Sequence, residues 1–218
     1  MITSTVRKIR SASERGQSMV ELAIFLPIFL IIIAGVAEMG WYINVYLNLL
    51  DATRETARYA ADLDPTNYDP IYNANDPGYA GAVADCDATT DFYAVIACYA
   101  ERNIPYDLNP DNDYDDVIIS AFTIQQGSVF NGFRFPDYFA GTGDQGWSLY
   151  GNQVSLFNTA RVNELFDDDS PKQGIVIVEV FFLHKQVLGL PFITIFIPEN
   201  IGVHVFTMMP NPTAGTLE

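Results

Sequence analysis

Leu22 to Ala37 is an unbroken run of sixteen uncharged, mostly apolar residues, LAIFLPIFLIIIAGVA, and nothing else in the chain restricts its possible folds as much. A core helix of a water-soluble protein keeps a polar face, whereas this run has no charge anywhere around its circumference. Taken from Val20 to about Tyr42, the stretch is long enough, at 1.5 Å rise per residue, to cross a hydrocarbon layer of about 30 Å. Trp41 and Tyr42 stand where an interfacial aromatic belt belongs. Arg7, Lys8, Arg10 and Arg15 precede the run against Glu14, while the rest of the chain carries 7 basic and 26 acidic residues. This bias predicts a single-pass protein of the cell membrane, with its N-terminus in the cytoplasm and an acidic domain outside. The acidic bulk repels phosphate, so nucleic acid is not an expected partner. An apolar content of 49 % over 218 residues supports one sizeable core and does not fit disorder.

Three kinds of N-terminal segment share this outline. A cleaved secretory signal finds small residues at Gly35-Val36-Ala37, but its apolar run is long and a helical pattern continues beyond it. An uncleaved signal anchor fits the hydropathy and leaves Glu21 without a role. A prepilin-type leader, cut on the cytoplasmic side before the apolar run, gives Glu21 one. An acidic side chain at the membrane end of a spanning helix costs a few kcal/mol unless it is paired or neutralised. Cleavage after Gly16 makes Gln17 the new N-terminus and Glu21 the fifth mature residue, so a fresh amino group lies one helical turn from the carboxylate, or from that of a neighbouring subunit.

From Arg15 to Ala61 the chain resembles the TadE-like pseudopilins of tight-adherence (Tad) pilus systems. Val20-Glu21, Pro27, Glu38 with Gly40, and Ala52, Arg54, Ala57, Arg58, Tyr59, Ala60 and Ala61 follow that family's pattern in order and spacing. Leu22 departs from it, since Tyr often follows the Glu at Tad-type processing sites. The resemblance covers roughly the first 62 residues, with a weaker echo in GIVIVEVFFLHKQVLGLPF. It implies a minor pilin-like subunit processed at Gly16-Gln17 by a membrane-embedded prepilin peptidase. The implied partners are the membrane, other pilin or pseudopilin subunits and the pilus assembly platform, in a system serving adhesion and secretion. Glu21, Pro27, Glu38, Gly40, Arg54 and Arg58 become the residues expected to matter for the assembly helix.

The expected organisation is a basic leader over 1–16, a long helix over 17–62 whose first half spans the membrane, and an acidic domain over 63–218. The helix would be about 69 Å long, with Pro27 bending it. In its outer half Leu47, Leu50, Ala57 and Ala61 recur at spacings of three and four and predict the packed face. Arg54 and Arg58 have Asp51 and Glu55 as local partners; they form either a solvated face or a dock for another pilin's acidic surface. Residues 63–84, rich in Asp-Pro, Gly and Asn, read as loop. Asp91 to Arg102 reads as a short helix with Val95, Ile96 and Tyr99 inward. Val117–Ile124 and Val129–Phe135 read as strands paired across 125–128, and Phe135–Gly151 as a surface loop. Gln153–Phe166 shows helical spacing at Val154, Phe157, Arg161 and Leu165. Ile175–Leu183, apolar on both faces, predicts a central strand, and Ile201–Met208 the last one. Val187–Ile197, too short and broken to span a bilayer, is either a buried strand and loop or an apolar loop at the outer membrane interface. The fold class is α+β, with a small, mainly antiparallel sheet of three or four strands.

Little in the sequence points to catalysis. No nucleophile elbow, phosphate loop or zincin motif occurs, His184 and His204 are the only histidines, and neither an enzyme nor a cofactor is expected. Asp111, Asp113 and Asp115 resemble the opening of a calcium loop, but Asp116 and Phe122 stand where its Gly and Glu belong. Cys86 and Cys98 are either two buried small hydrophobes or, outside the cytosol, a disulfide closing a short loop for roughly 2–3 kcal/mol. The competing function is an uncleaved signal-anchored surface protein whose acidic domain binds a partner.

Overall fold

A computed structural model describes residues 3–67, 91–135, 145–189, 194 and 198–215, with side chains described from Met19 onward and not over 131–135. The chain forms two compact units, Met1–Ile43 with Lys185–Glu199, and Asn44–His184 with Asn200–Glu218. Helix α1 runs from Thr3 to Ala61 and contains Pro27. It begins well before Gln17 because residues 3–15 hold no proline or glycine to interrupt the helix. Among the described residues this is the one helix long and apolar enough to cross a membrane. Leu22, Ile24, Phe25, Leu26, Ile28, Phe29 and Ile32 are all exposed on it.

In the second unit the remaining part of α1 buries Val45, Leu49, Ala52, Thr53, Thr56, Ala57 and Ala60. The packed face is therefore rotated from the expected one: Leu47 is exposed and Leu50 half-buried. Two threonines hide in that face because their hydroxyls donate to carbonyls one turn back, Thr53 to Leu49 at 2.6 Å and Thr56 to Ala52 at 2.8 Å. Helix α2, Phe92–Asn103, is capped by the Asp91 carboxylate, which accepts from the Ala94 N–H at 2.9 Å. Its buried face is Phe92, Tyr93, Ile96, Ala97 and Ala100; Val95 and Tyr99, expected inward, are half-buried. Tyr99 instead stacks on Tyr59 of α1 with centroids 4.4 Å apart.

The strands are β1 (Asp116–Gln125), β2 (Ser128–Phe135), β3 (Trp147–Ser148), β4 (Gln173–Lys185) and β5 (Asn200–Pro210). They order as β2-β1-β4-β5, with β3 also on β1, and β1 is antiparallel to β2, β3 and β4. Burial on both faces explains why β1 and β4 read as continuous apolar runs. One face carries Phe122, Ile124, Ile175 and Ile177, packed with Phe157 and with Val162 of the short helix α3 (Thr159–Asn163). The expected surface loop over 135–151 contains β3 and a buried Trp147, stacked 5.7 Å from Tyr93; residues 136–144 lie outside the described set. The expected helix over 153–166 shrinks to α3, with Val154 and Leu165 exposed. Its first turn does not form: the Phe157 N–H, which would close that turn onto the Gln153 carbonyl, donates instead to the Ser155 hydroxyl oxygen at 3.0 Å, and the Ser155 N–H reaches the Gln145 carbonyl at 2.7 Å.

The β1–β2 hairpin turns through Gln126 (φ 51°) and Gly127 (φ 72°), both left-handed, as a two-residue hairpin demands. A Cβ on Gly127 would stand 2.7 Å from the Asp167 carbonyl carbon, so backbone conformation and close approach both require glycine there. Gly127→Ala is expected to lower stability by about 2–3 kcal/mol, read as a shift in the denaturant midpoint at unchanged slope. An unchanged midpoint would show that the hairpin contributes nothing to the folded state.

Candidate functional site

The residues marked for the assembly helix divide by surroundings. Gly16 and Gln17 lie in the helical backbone of α1, and their side chains are outside the described set. Glu21 is exposed on α1. Gly35 and Gly40 face open space: a Cβ at either meets nothing within 4 Å. Glycine inside a helix costs about 1 kcal/mol relative to alanine, and among the described residues no packing contact calls for it at either position.

Glu38 is the built feature of the first unit. It is only 6 % exposed on a helix whose surrounding apolar side chains are mostly bare. Its two carboxylate oxygens accept the Val187 N–H at 2.7 Å and the Leu188 N–H at 3.1 Å. Charge-assisted bonds to consecutive amides are the arrangement that makes a carboxylate tolerable away from water. The loop that supplies them is closed at its neck. The Gln186 N–H donates to the Glu199 carbonyl at 3.0 Å, its side-chain amide to the Pro198 carbonyl at 3.1 Å, and Lys185 pairs with Glu199 at 3.4 Å. Gly189, at φ 51°, supplies the left-handed turn that follows. Val187 and Leu188 form no strand and are 48 % and 43 % exposed, which corrects the buried-strand reading at these two positions.

In the second unit Arg54 and Arg58 reach Asp51 at 3.3 Å and Glu55 at 2.7 Å, on exposed side chains. Such pairs contribute well under 1 kcal/mol each. Glu55 also accepts from the Tyr99 hydroxyl at 3.3 Å and so joins α1 to α2.

Sequence reasoning missed two buried carboxylates that organise this unit. Asp116 accepts from the Ser148 hydroxyl at 2.6 Å and from the N–H groups of Val117, Tyr150, Asn152 and Gln153 at 2.8–3.1 Å. Burial pushes its carboxyl above the usual aspartate value, and these hydrogen bonds pull it back. Glu179, fully buried on β4, accepts from the Ser155 hydroxyl, the Leu156 N–H and, at 3.1 Å, the His204 ring. The serine hydroxyl donates to the carboxylate and not to the imidazole, so this group ties the Ser155–Leu156 segment to β4. The Tyr150 hydroxyl donates to Glu101, and burial followed by that carboxylate moves its ionisation far upward. For Glu179 the legible signal was a lone acid inside an apolar strand, IVIVEVFFL; Asp116, last in the acidic run DNDYDD, carried no such signal.

Asp111, Asp113 and Asp115 do not converge. Asp115, the last of the three, is buried, and its oxygens accept the Asn109 and Leu183 N–H groups at 2.9 and 2.6 Å. Among the described residues no group of three or more His, Cys, Asp or Glu is placed to hold a metal. Cys98, buried on α2, is disulfide-bonded, and Cys86 lies outside the described residues.

A family model described as TadE-like protein matches residues 16–58, which takes in Gly16, Glu21, Glu38 and both arginines. No curated protein and no solved structure matches the chain.

Proposed function

We propose, from a chain whose residues 16–58 are TadE-like, that this protein is a minor pilin-like subunit of a Tad pilus, processed by a prepilin peptidase and acting through helix packing and not through catalysis. The observation that carries the reading is the coincidence of the family match with one uninterrupted helix whose apolar stretch is bare on all sides. A helix that is apolar all round needs lipid or other helices around it. The open space over Gly35 and Gly40 supports the second use, since small residues let helix backbones approach. In this reading the N-terminus is cytoplasmic, the acidic unit is extracytoplasmic, and removal of the leader after Gly16 creates an amino group for Glu21 of the same or a neighbouring subunit.

Mass spectrometry of the protein recovered from membranes is expected to show a chain starting at Gln17. A chain retaining Met1, or one starting at Glu38, favours instead a signal-anchored or secreted protein whose acidic unit binds a partner. Glu21→Ala is expected to leave cleavage intact and to reduce piliation by an order of magnitude or more, counted by electron microscopy. Normal piliation would remove the role assigned to Glu21.

A further inference from the structure

An acid on a solvent-exposed helix needs no cover, because water solvates it. Glu38 is nonetheless covered, by two amides from a loop that follows β4. The cover has a polar neck and an apolar tip. Lys185 and Glu199 pair at the neck with both side chains exposed, while Val187 and Leu188 are half-exposed beyond it. Residues 190–197 contain no charged side chain. On the helix, bare Val36, Met39 and Trp41 flank Glu38. The two amides that meet Glu38 are both bonded to its carboxylate, while the apolar side chains of Val36, Met39, Trp41, Val187 and Leu188 remain uncovered. That division suits a low-dielectric surface, where an unbonded carboxylate or amide costs several kcal/mol and an exposed Val, Leu or Trp costs nothing. A lysine at the neck suits the same place, with its stem along the apolar layer and its ammonium among lipid headgroups.

We propose that the Glu38-clasped loop beginning at Val187 is an interfacial membrane anchor, seated on the outer headgroup region of the bilayer that α1 enters. The occupant of its apolar tip is lipid, and the Glu38 carboxylate lets the loop's leading amides lie there without water. The inference rests on the reading of α1 as the spanning helix.

The test uses the full chain in vesicles of phosphatidylethanolamine and phosphatidylglycerol, carrying spin-label quenchers at either headgroup or mid-chain depth. A fluorophore is attached in turn to Leu188→Cys, Ile31→Cys and Asp168→Cys. The headgroup quencher is expected to quench the Leu188 site several-fold more than the Asp168 site, and the mid-chain quencher to act most on Ile31. Quenching at Ile31 with none at Leu188 beyond the Asp168 level overturns the anchor and leaves the spanning helix standing. No quenching at Ile31 overturns both. A Leu188 signal that follows protein density and not quencher density assigns the tip to a second copy and likewise overturns the proposal. Adding Glu38→Ala to the Leu188 probe is expected to reduce its shallow quenching at least by half, while Ile31 is unaffected. Undiminished quenching would show that the clasp has no part in seating the loop.

Discussion

Asp116→Ala is expected to destabilise the β-sheet unit by about 3–5 kcal/mol, because it leaves buried donors without an acceptor. The Ser148 hydroxyl and the N–H groups of Tyr150, Asn152 and Gln153 all point to this one carboxylate, and with them goes the path of the chain from β3 toward α3. Denaturant unfolding followed by emission of buried Trp147 measures the loss, and a change below about 1 kcal/mol would show that water replaces the carboxylate at no cost. The same group has a pH signature. Burial raises the Asp116 carboxyl in the folded chain above its ordinary value of 3.8, so between those two values the folded state binds more protons than the unfolded one. The Asp116 contribution to stability is therefore fully present below 3.8 and is lost as pH rises through the folded value. The stability advantage of the native protein over Asp116→Asn is expected to grow on acidification across that window. A shrinking advantage would mean that the hydrogen bonds outweigh burial.

Gly174→Ala is the second large effect. A Cβ at this position would lie 2.1 Å from the Asn211 carbonyl oxygen, 2.4 Å from the Gly215 nitrogen and 2.6 Å from the Ala214 Cβ. Two of these are backbone atoms, so no rotamer change relieves the overlap and the turn of helix Pro212–Gly215 has to move. Its ties would move with it. The Asn211 N–H donates to the Gly174 carbonyl at 2.8 Å, the Thr123 hydroxyl to the Ala214 carbonyl at 2.6 Å, and the Asn211 side chain to the Ala60 and Leu63 carbonyls at the end of α1. A loss of about 3 kcal/mol or more is expected, with the Asn211 amide exchanging near the rate of an unfolded chain. Native-like protection of that amide together with an unshifted melting temperature would contradict the packing described.

Where pattern and period alone decide an outcome, the sequence reading and the structure agree. The long apolar helix, the hairpin across 125–128, the central strand and the last strand all follow from runs of one kind of residue bounded by turn chemistry. The reading failed where a polar atom was hidden by a local bond. Thr53 and Thr56 count as polar in any periodicity, yet each returns its hydroxyl to its own helix, and the buried face rotates away from Leu47. It failed again over 153–157, where helical spacing was present but the Phe157 N–H goes to the Ser155 hydroxyl and the Ser155 N–H to the Gln145 carbonyl, so no first turn closes.

By itself the sequence determined that a basic segment precedes an apolar helix of bilayer length, and that Glu21 and Glu38 bracket its uncharged run within the TadE-like stretch 16–58. Those properties depend on neighbours along the chain, and hydropathy, charge and helical period all act at that range. Only the tertiary structure decided what Glu38 does. Its partners are the amides of Val187 and Leu188, 149 and 150 residues away, and backbone N–H groups carry no sequence signature. The same holds for Asp116 and Glu179. The donors to a buried acid are set only by the fold, because every residue type except proline can donate an amide and only the fold selects which ones do.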